Sequence, residues 1–305
     1  MGLSSMAKAL LYVDDSKVSM KVKDENDVIN FQNEMEIFYR WASTNNMDFN
    51  SIKFVVLRYG KDQQLKDDTL YFSNDMEAPI DSLESHKDLG VVMSIDGNFS
   101  SHIEAVIRKV RKHIGWVCRT FYSRELNFMR QMYISTIRPH FDYCSQLWGP
   151  GEGPLLDKLE KVQAYFTRLI PEIRDLPYPE RLKRLRLQSI QRRFDRYKIT
   201  YIRKILKNLV PNPGITQRTD AKHRLGVMVE IPKAESKLRY DSFLVRGPKI
   251  FNSLPKELRD LEVSMDTFKE HLDEYLNLVP DIPRSYGYES NDLEERTKFW
   301  RWKVC

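Results

Sequence analysis

No stretch of this chain runs to about 18 consecutive apolar residues, so a membrane-spanning helix is not expected. The first residues, Met1 to Lys8, place no long apolar segment behind a basic start, and no secretory leader is read there. Met6 stands where a myristoylation signal after Gly2 wants Ser or Thr. Cysteine is scarce: Cys118, Cys144 and Cys305 lie far apart and are odd in number. That argues against a disulfide framework and a zinc site, and for free thiols in a reducing compartment with no disulfide-linked partner. An intracellular protein, nuclear or cytoplasmic, with no membrane contact is therefore expected. Also missing are a Ser-His-Asp order, a glycine-rich phosphate loop, clustered Cys/His metal spacing and any internal repeat. His86, His102 and His113 are assigned no chemistry.

Acidic side chains are what the middle of the chain lacks. Residues 98–210 carry 23 basic and 10 acidic side chains, a balance of +13, whereas residues 1–97 carry 10 and 17, a balance of −7. Residues 211–305 carry 16 of each. Three regions with different tasks are expected, the middle one built to meet a polyanion.

The hydrophobic pattern agrees. In 1–97 an apolar run, Ala9 to Val13, reaches Asp14-Asp15, and Val18, Met20 and Val22 alternate after it, predicting a β-hairpin with both carboxylates at the turn. Val28, Phe31, Met35, Phe38 and Ala42 then step at helical spacing across 24–46, with Asp24 or Asn26 as N-cap. Strands are expected at Phe54–Leu57, Thr69–Phe72 and Ser85–Met93, the last interrupted by Gly90. From Asn98 onward the pattern is helical. Ser101 and Glu104 have capping-box spacing ahead of a stripe from Ile103 to Phe121, with Arg108, Lys109, Arg111 and Lys112 on the other side. A second helix is expected to stop near Pro139, a third to start at Pro154, and two more to fill 178–208. Pro211-Asn212-Pro213-Gly214 reads as a boundary, and a last helix covers about Ser264 to Leu278. The segment from Pro280 reads as loose. The fold class is α+β: a small antiparallel sheet with a packed helix, a helical unit, and a mixed tail.

Tyr12-Val13-Asp14-Asp15, preceded by Leu-Leu and followed by Ser-Lys, resembles the metal-binding hairpin of reverse transcriptases, and most closely that of non-LTR (LINE-type) retrotransposon polymerases. Trp41, then Asn50-Ser51-Ile52-Lys53, then His86-Lys87-Asp88-Leu89-Gly90-Val91 are similar in order to that family's later elements. Ile137-Arg138-Pro139, Trp148-Gly149-Pro150 and Leu159-Glu160-Lys161-Val162-Gln163 are similar to its thumb. The resemblance implies RNA-directed DNA polymerase ancestry: a half palm with primer grip over 1–97, a basic thumb over 98–210 and a tail over 211–305. It implies Asp14 and Asp15 as Mg²⁺ ligands, Lys53 near nucleotide phosphates, Leu89 and Gly90 as primer grip, and RNA template with DNA primer as partners. Lys53 also fits a surface lysine at a strand end, and Leu89-Gly90 an ordinary bulge.

The family's further carboxylate, from a strand upstream of Asp14, is not matched: 13 residues precede Asp14 and none is acidic. Two-metal chemistry needs ligands that fix both ions. Any Mg²⁺ is expected to be weak or absent, and the chain is expected to be inactive as a polymerase by itself.

The basic residues concentrate further. Arg181, Lys183, Arg184, Arg186, Arg192, Arg193, Arg196, Lys198, Arg203, Lys204 and Lys207 face a single acid, Asp195. Of these, Arg181, Arg184, Arg192, Arg193, Arg196 and Lys204 are the leading candidates for phosphate contact. Tyr143, Trp148, Tyr165 and Phe166 fit either base stacking or a core. Two other readings stay open: a helical nucleic-acid-binding module derived from a mobile element, with no enzymatic role, and an interaction protein that meets an acidic partner.

Overall fold

The computed structural model describes residues 7–47, 49–60, 70–73, 79–218, 226–281 and 283. The chain is α+β and divides into two compact units, Met1–Asn98 and Phe99–Cys305.

In the first unit, β1 (Ala7–Tyr12) pairs antiparallel with β2 (Asp15–Met20), Tyr12 opposite Asp15 and Ala7 opposite Met20. Helix α1 (Glu25–Thr44) follows, capped by the Asp24 side chain, which accepts from the Asp27 amide. Its inner face buries Phe38, Tyr39 and Ala42, and Phe49 packs on both Phe38 and Tyr39 at 5.1 and 6.0 Å between ring centroids. Gln32 holds Phe72 by both backbone groups, accepting from its amide at 2.9 Å and donating to its carbonyl at 3.3 Å. These contacts fix α1 against the chain that follows it.

The strands are shorter and more separate than the pattern suggests. Among the described residues there are three two-stranded pieces and no common sheet. β3 (Val55–Val56) runs parallel to β4 (Asp81–Ser82), and Phe72 makes a single bridge to Pro79; Thr69 lies outside the described residues. The expected strand Ser85–Met93 is a hairpin, β5 (Ser85–Asp88) with β6 (Val91–Ser94). Leu89 and Gly90 form its turn with φ of 43° and 85°. Positive φ at both central residues matches the twist of the flanking strands. Gly90 supplies it freely, whereas Leu89 is held there by the pairing on either side.

The second unit is helical. Helix α2 (Ser100–Thr120) buries Ile103, Val106, Ile107, Val110, Ile114 and Val117 along one stripe, as its spacing predicts. The capping box does not form: no side chain caps α2, and Glu104 pairs instead with Lys158 at 2.9 Å. Helix α3 (Leu126–Met132) continues through a π-helical turn, Tyr133–Ile137, into α4 (Arg138–Asp142). Pro139 therefore does not stop this helix. The wide turn, closed by the Arg138 amide on the Tyr133 carbonyl, absorbs the ring and the missing N–H just after it.

Helices α5 (Ser145–Trp148), α6 (Pro154–Arg168), α7 (Tyr178–Leu185) and α8 (Ile190–Leu206) complete the body. The tail joins it directly. Ile215, Val229, Phe251, Leu254, Phe268, Leu272 and Leu276 share one core with Ile199, Ile202 and Ile205 of α8. The segment 211–214 is thus a link within this unit. Among the described residues three α-helices follow it: α9 (Lys237–Asp241), α10 (Phe243–Asn252) and α11 (Met265–Leu278). The loose segment expected beyond Pro280 lies largely outside the described residues.

Candidate nucleic-acid interface

The Asp-Asp hairpin closes through a two-residue turn, Val13-Asp14, and Asp15 is already the first residue of β2. Only one of the two carboxylates therefore belongs to the turn. Val13 adopts a φ of 56°, a conformation a β-branched residue reaches only when neighbouring structure imposes it. Asp14 and Asp15 are exposed, and the tip around them leaves Leu10, Tyr12 and Val13 exposed as well.

On β2, Lys17 forms an ion pair with Asp88, the residue before the Leu89-Gly90 turn. Tyr59 lies near both: burial raises its hydroxyl pKa first, with Lys17 lowering and Asp88 raising it. The structure thus brings the side of the Asp-Asp hairpin to the base of the Leu89-Gly90 turn. Lys53 is exposed at the end of a 3₁₀ turn, Ser51–Lys53, after α1. Among the described residues no group of three or more His, Cys, Asp or Glu is placed to hold a metal ion. Asp14 and Asp15 alone do not supply the ligands of a two-metal centre.

Most of the basic run of 181–207 turns inward, while Lys183, Arg184 and Arg186 stay exposed. Arg181 is buried, donates to the Ala164 carbonyl at 3.1 Å and lies over the Tyr178 ring. Arg192 donates to the carbonyls of Leu276 and Pro280 at 2.5 and 2.8 Å. Arg193 grips Asp142 through two nitrogens, and Arg196 does the same to Asp273. Lys198 is buried on the Gly149 carbonyl at 3.0 Å, and burial lowers its pKa to about 8. Arg203 lies 4.2 Å over Phe268 and donates to the carbonyls of Asp260 and Val263. Lys207 reaches the carbonyls of Leu261 and Val263. Arg181 ties α7 to α6, and the others are struts between α8 and its surroundings. Of the leading phosphate candidates, Arg184 is exposed and Lys204 partly so. Trp148 and Phe166 are core, whereas Tyr143 and Tyr165 are more than half exposed.

A second set of outward-facing cations sits on α2, besides Lys183, Arg184 and Arg186 at α7. Arg108, Lys109, Arg111 and Lys112 are all exposed, and Arg119 joins them one to two turns on. Glu104 is the only acid of the helix, and Lys158 draws its carboxylate below the usual range, by hydrogen bond first and then by charge. Trp116 lies on the same side, 45% exposed, with Lys112 and His113 lining an open cleft of about 390 Å³ beside it. His113 donates from Nδ1 to the Lys109 carbonyl at 2.9 Å, and its ring lies 4.4 Å from that of His140 on α4. Burial lowers the His140 pKa, and Lys109 and His113 lower it further.

Trp116, His113 and His140 carry no assignment from the sequence. The available signal is the spacing of Lys109, Lys112, His113 and Trp116, which places all four along one flank of the helix beside the buried stripe. No helix among the described residues is long and apolar enough to cross a membrane. No protein-family model, curated protein or solved structure matches the chain.

Proposed function

We propose that this chain binds nucleic acid through the outer face of α2, as the C-terminal part of a non-LTR retrotransposon reverse transcriptase without polymerase activity of its own. The observation that carries the binding is the contrast between two basic helices. The cations of α8 are largely engaged by internal carbonyls and carboxylates, whereas those of α2 project to solvent. Four exposed cations within two helical turns, beside an exposed tryptophan, form the kind of stripe that neutralises phosphates. The ancestry is supported by the Tyr-Val-Asp-Asp and His-Lys-Asp-Leu-Gly-Val stretches, which form two hairpins linked by Lys17 and Asp88.

Duplex titrations by fluorescence anisotropy across a range of salt test the binding. If all four cations meet phosphates, log affinity falls against log salt with a slope of about −3 to −4 on B-DNA. Replacing Arg108, Lys109, Arg111 and Lys112 by Gln flattens that slope. A slope unchanged in the fourfold variant overturns the assignment of the surface.

A further inference from the structure

We infer that the cleft lined by Lys112, His113 and Trp116 takes one unpaired nucleotide of a single strand, its base against the Trp116 ring and its phosphate against Lys112 and Lys109. This rests on the reading of α2 as a nucleic-acid surface and adds the chemical form of the ligand.

Trp116 belongs to neither the core of the unit nor an ordinary charged face. The stripe from Ile103 to Val117 is buried, yet Trp116 stays 45% exposed, steadied by an edge-to-face contact with Phe121 at 5.7 Å. Phe121 packs in turn on Phe128 at 5.4 Å, which anchors the aromatic platform to α3. A cleft of about 390 Å³ next to that ring has the size of a small-ligand site.

The lining chemistry selects the ligand. Lys109 to Trp116 spans about 10 Å of helix at 1.5 Å per residue, with Lys112 and His113 between them. An aromatic face with cations at its margin is the arrangement on which unpaired bases stack while the backbone is held electrostatically. A duplex keeps its base faces inside the stack and offers this ring only sugar and phosphate. An acidic peptide would satisfy Lys112 and leave the Trp116 face without a partner. A cation is disfavoured, because Lys112 and His113 line the site, Lys109 and His140 lie beside His113, and no acid among the described residues lines it.

The test uses the full chain and three probes labelled with fluorescein: a 12-mer of thymidylate, a 12-mer with the same phosphates but abasic sugars, and a B-DNA hairpin duplex. Wild type is expected to bind the thymidylate strand at least tenfold more tightly than the abasic one. Trp116→Leu removes most of that preference and leaves abasic and duplex binding within about twofold, while its urea midpoint verifies the fold. Lys112→Gln weakens all three probes. Equal affinity of wild type for the thymidylate and abasic strands overturns the stacking assignment. Displacement of the thymidylate strand by polyglutamate of matched charge overturns it in favour of an acidic partner. If duplex binding keeps its dependence on the α2 cations while the base is not sensed, this inference alone falls. If no probe binds, the proposed function falls with it.

Discussion

Tyr178 donates its hydroxyl hydrogen to Glu160 Oε2 across 2.7 Å, while the other carboxylate oxygen accepts the Gln191 amide at 3.0 Å. A carboxyl from α6 thus closes the start of α8 from inside the core. Burial raises its pKa from 4.5 to about 7 against the opposing pull of those hydrogen bonds.

The pH consequence follows from that direction. The folded state holds the proton more tightly than the unfolded state, so Glu160 favours folding fully below the unfolded value of 4.5 and loses that contribution as pH rises through about 7. The loss is on the order of 3 kcal/mol for a shift of this size. Urea midpoints at pH 5 and pH 8 should differ in that sense in wild type. Glu160→Gln should flatten the difference and raise the midpoint at pH 8. An unchanged pH response in the variant would show that Glu160 is not the group responsible.

Arg203 and Arg184 give an internal comparison. Arg203→Ala takes the guanidinium donor from the Asp260 carbonyl, leaves the Val263 carbonyl with Lys207 alone, and strips a cation from Phe268. A loss of about 3 kcal/mol is expected from denaturation curves, and Arg203→Lys should recover only part of it. Exposed Arg184→Gln should stay within about 0.5 kcal/mol of wild type.

Arg192, Arg193 and Arg196 changed together to Gln should act on folding before they act on binding. Their partners are Leu276, Pro280, Asp142 and Asp273, so the variant is expected to lose several kcal/mol and helical signal on mild heating. A triple variant with wild-type stability and a shallower salt slope would return this face of α8 to the phosphates.

Gly149 is a packing requirement. A Cβ there would lie 2.5 Å from the Ser145 carbonyl oxygen and 2.9 Å from the Phe194 ring, and the same residue's carbonyl receives Lys198. Backbone cannot yield as a flexible side chain does, so Gly149→Ala should cost about 2 kcal/mol or more in urea denaturation.

Primer extension on a primed RNA template with Mg²⁺ should give no product above background. Extension abolished by Asp14→Asn would reveal a ligand set beyond the two exposed carboxylates.

The helices were the most legible part of the sequence, because a period of 3.6 writes one buried face into one continuous segment. The α2 stripe, the Asp24 cap and the last helix from about Ser264 are local, and they appear where the spacing puts them. The α8 cations were misleading because their acceptors lie far along the chain: Arg203 and Asp260 are 57 residues apart, Arg192 and Pro280 are 88. Nothing near Arg192 in sequence signals a carbonyl waiting at Pro280. The Leu89-Gly90 hairpin was half legible. Gly90 marks a turn, but Leu89 is not a residue that proposes a left-handed conformation. Pro139 was read by its local rule, and the π-helical turn before it supplies the exception.

The distance between α8 and its acceptors also has a meaning for how the protein is made. Arg196 waits 77 residues for Asp273, and Arg192 waits 84 for the Leu276 carbonyl. A ribosome that has reached residue 210 has made the 98–210 segment, with its charge balance of +13, and none of the tail that engages several of its arginines. Until the tail is made, Arg192, Arg196 and Arg203 lack those partners, and their charge is open to any polyanion nearby. Completion of residues 260 to 281 supplies those partners and withdraws these arginines from solvent.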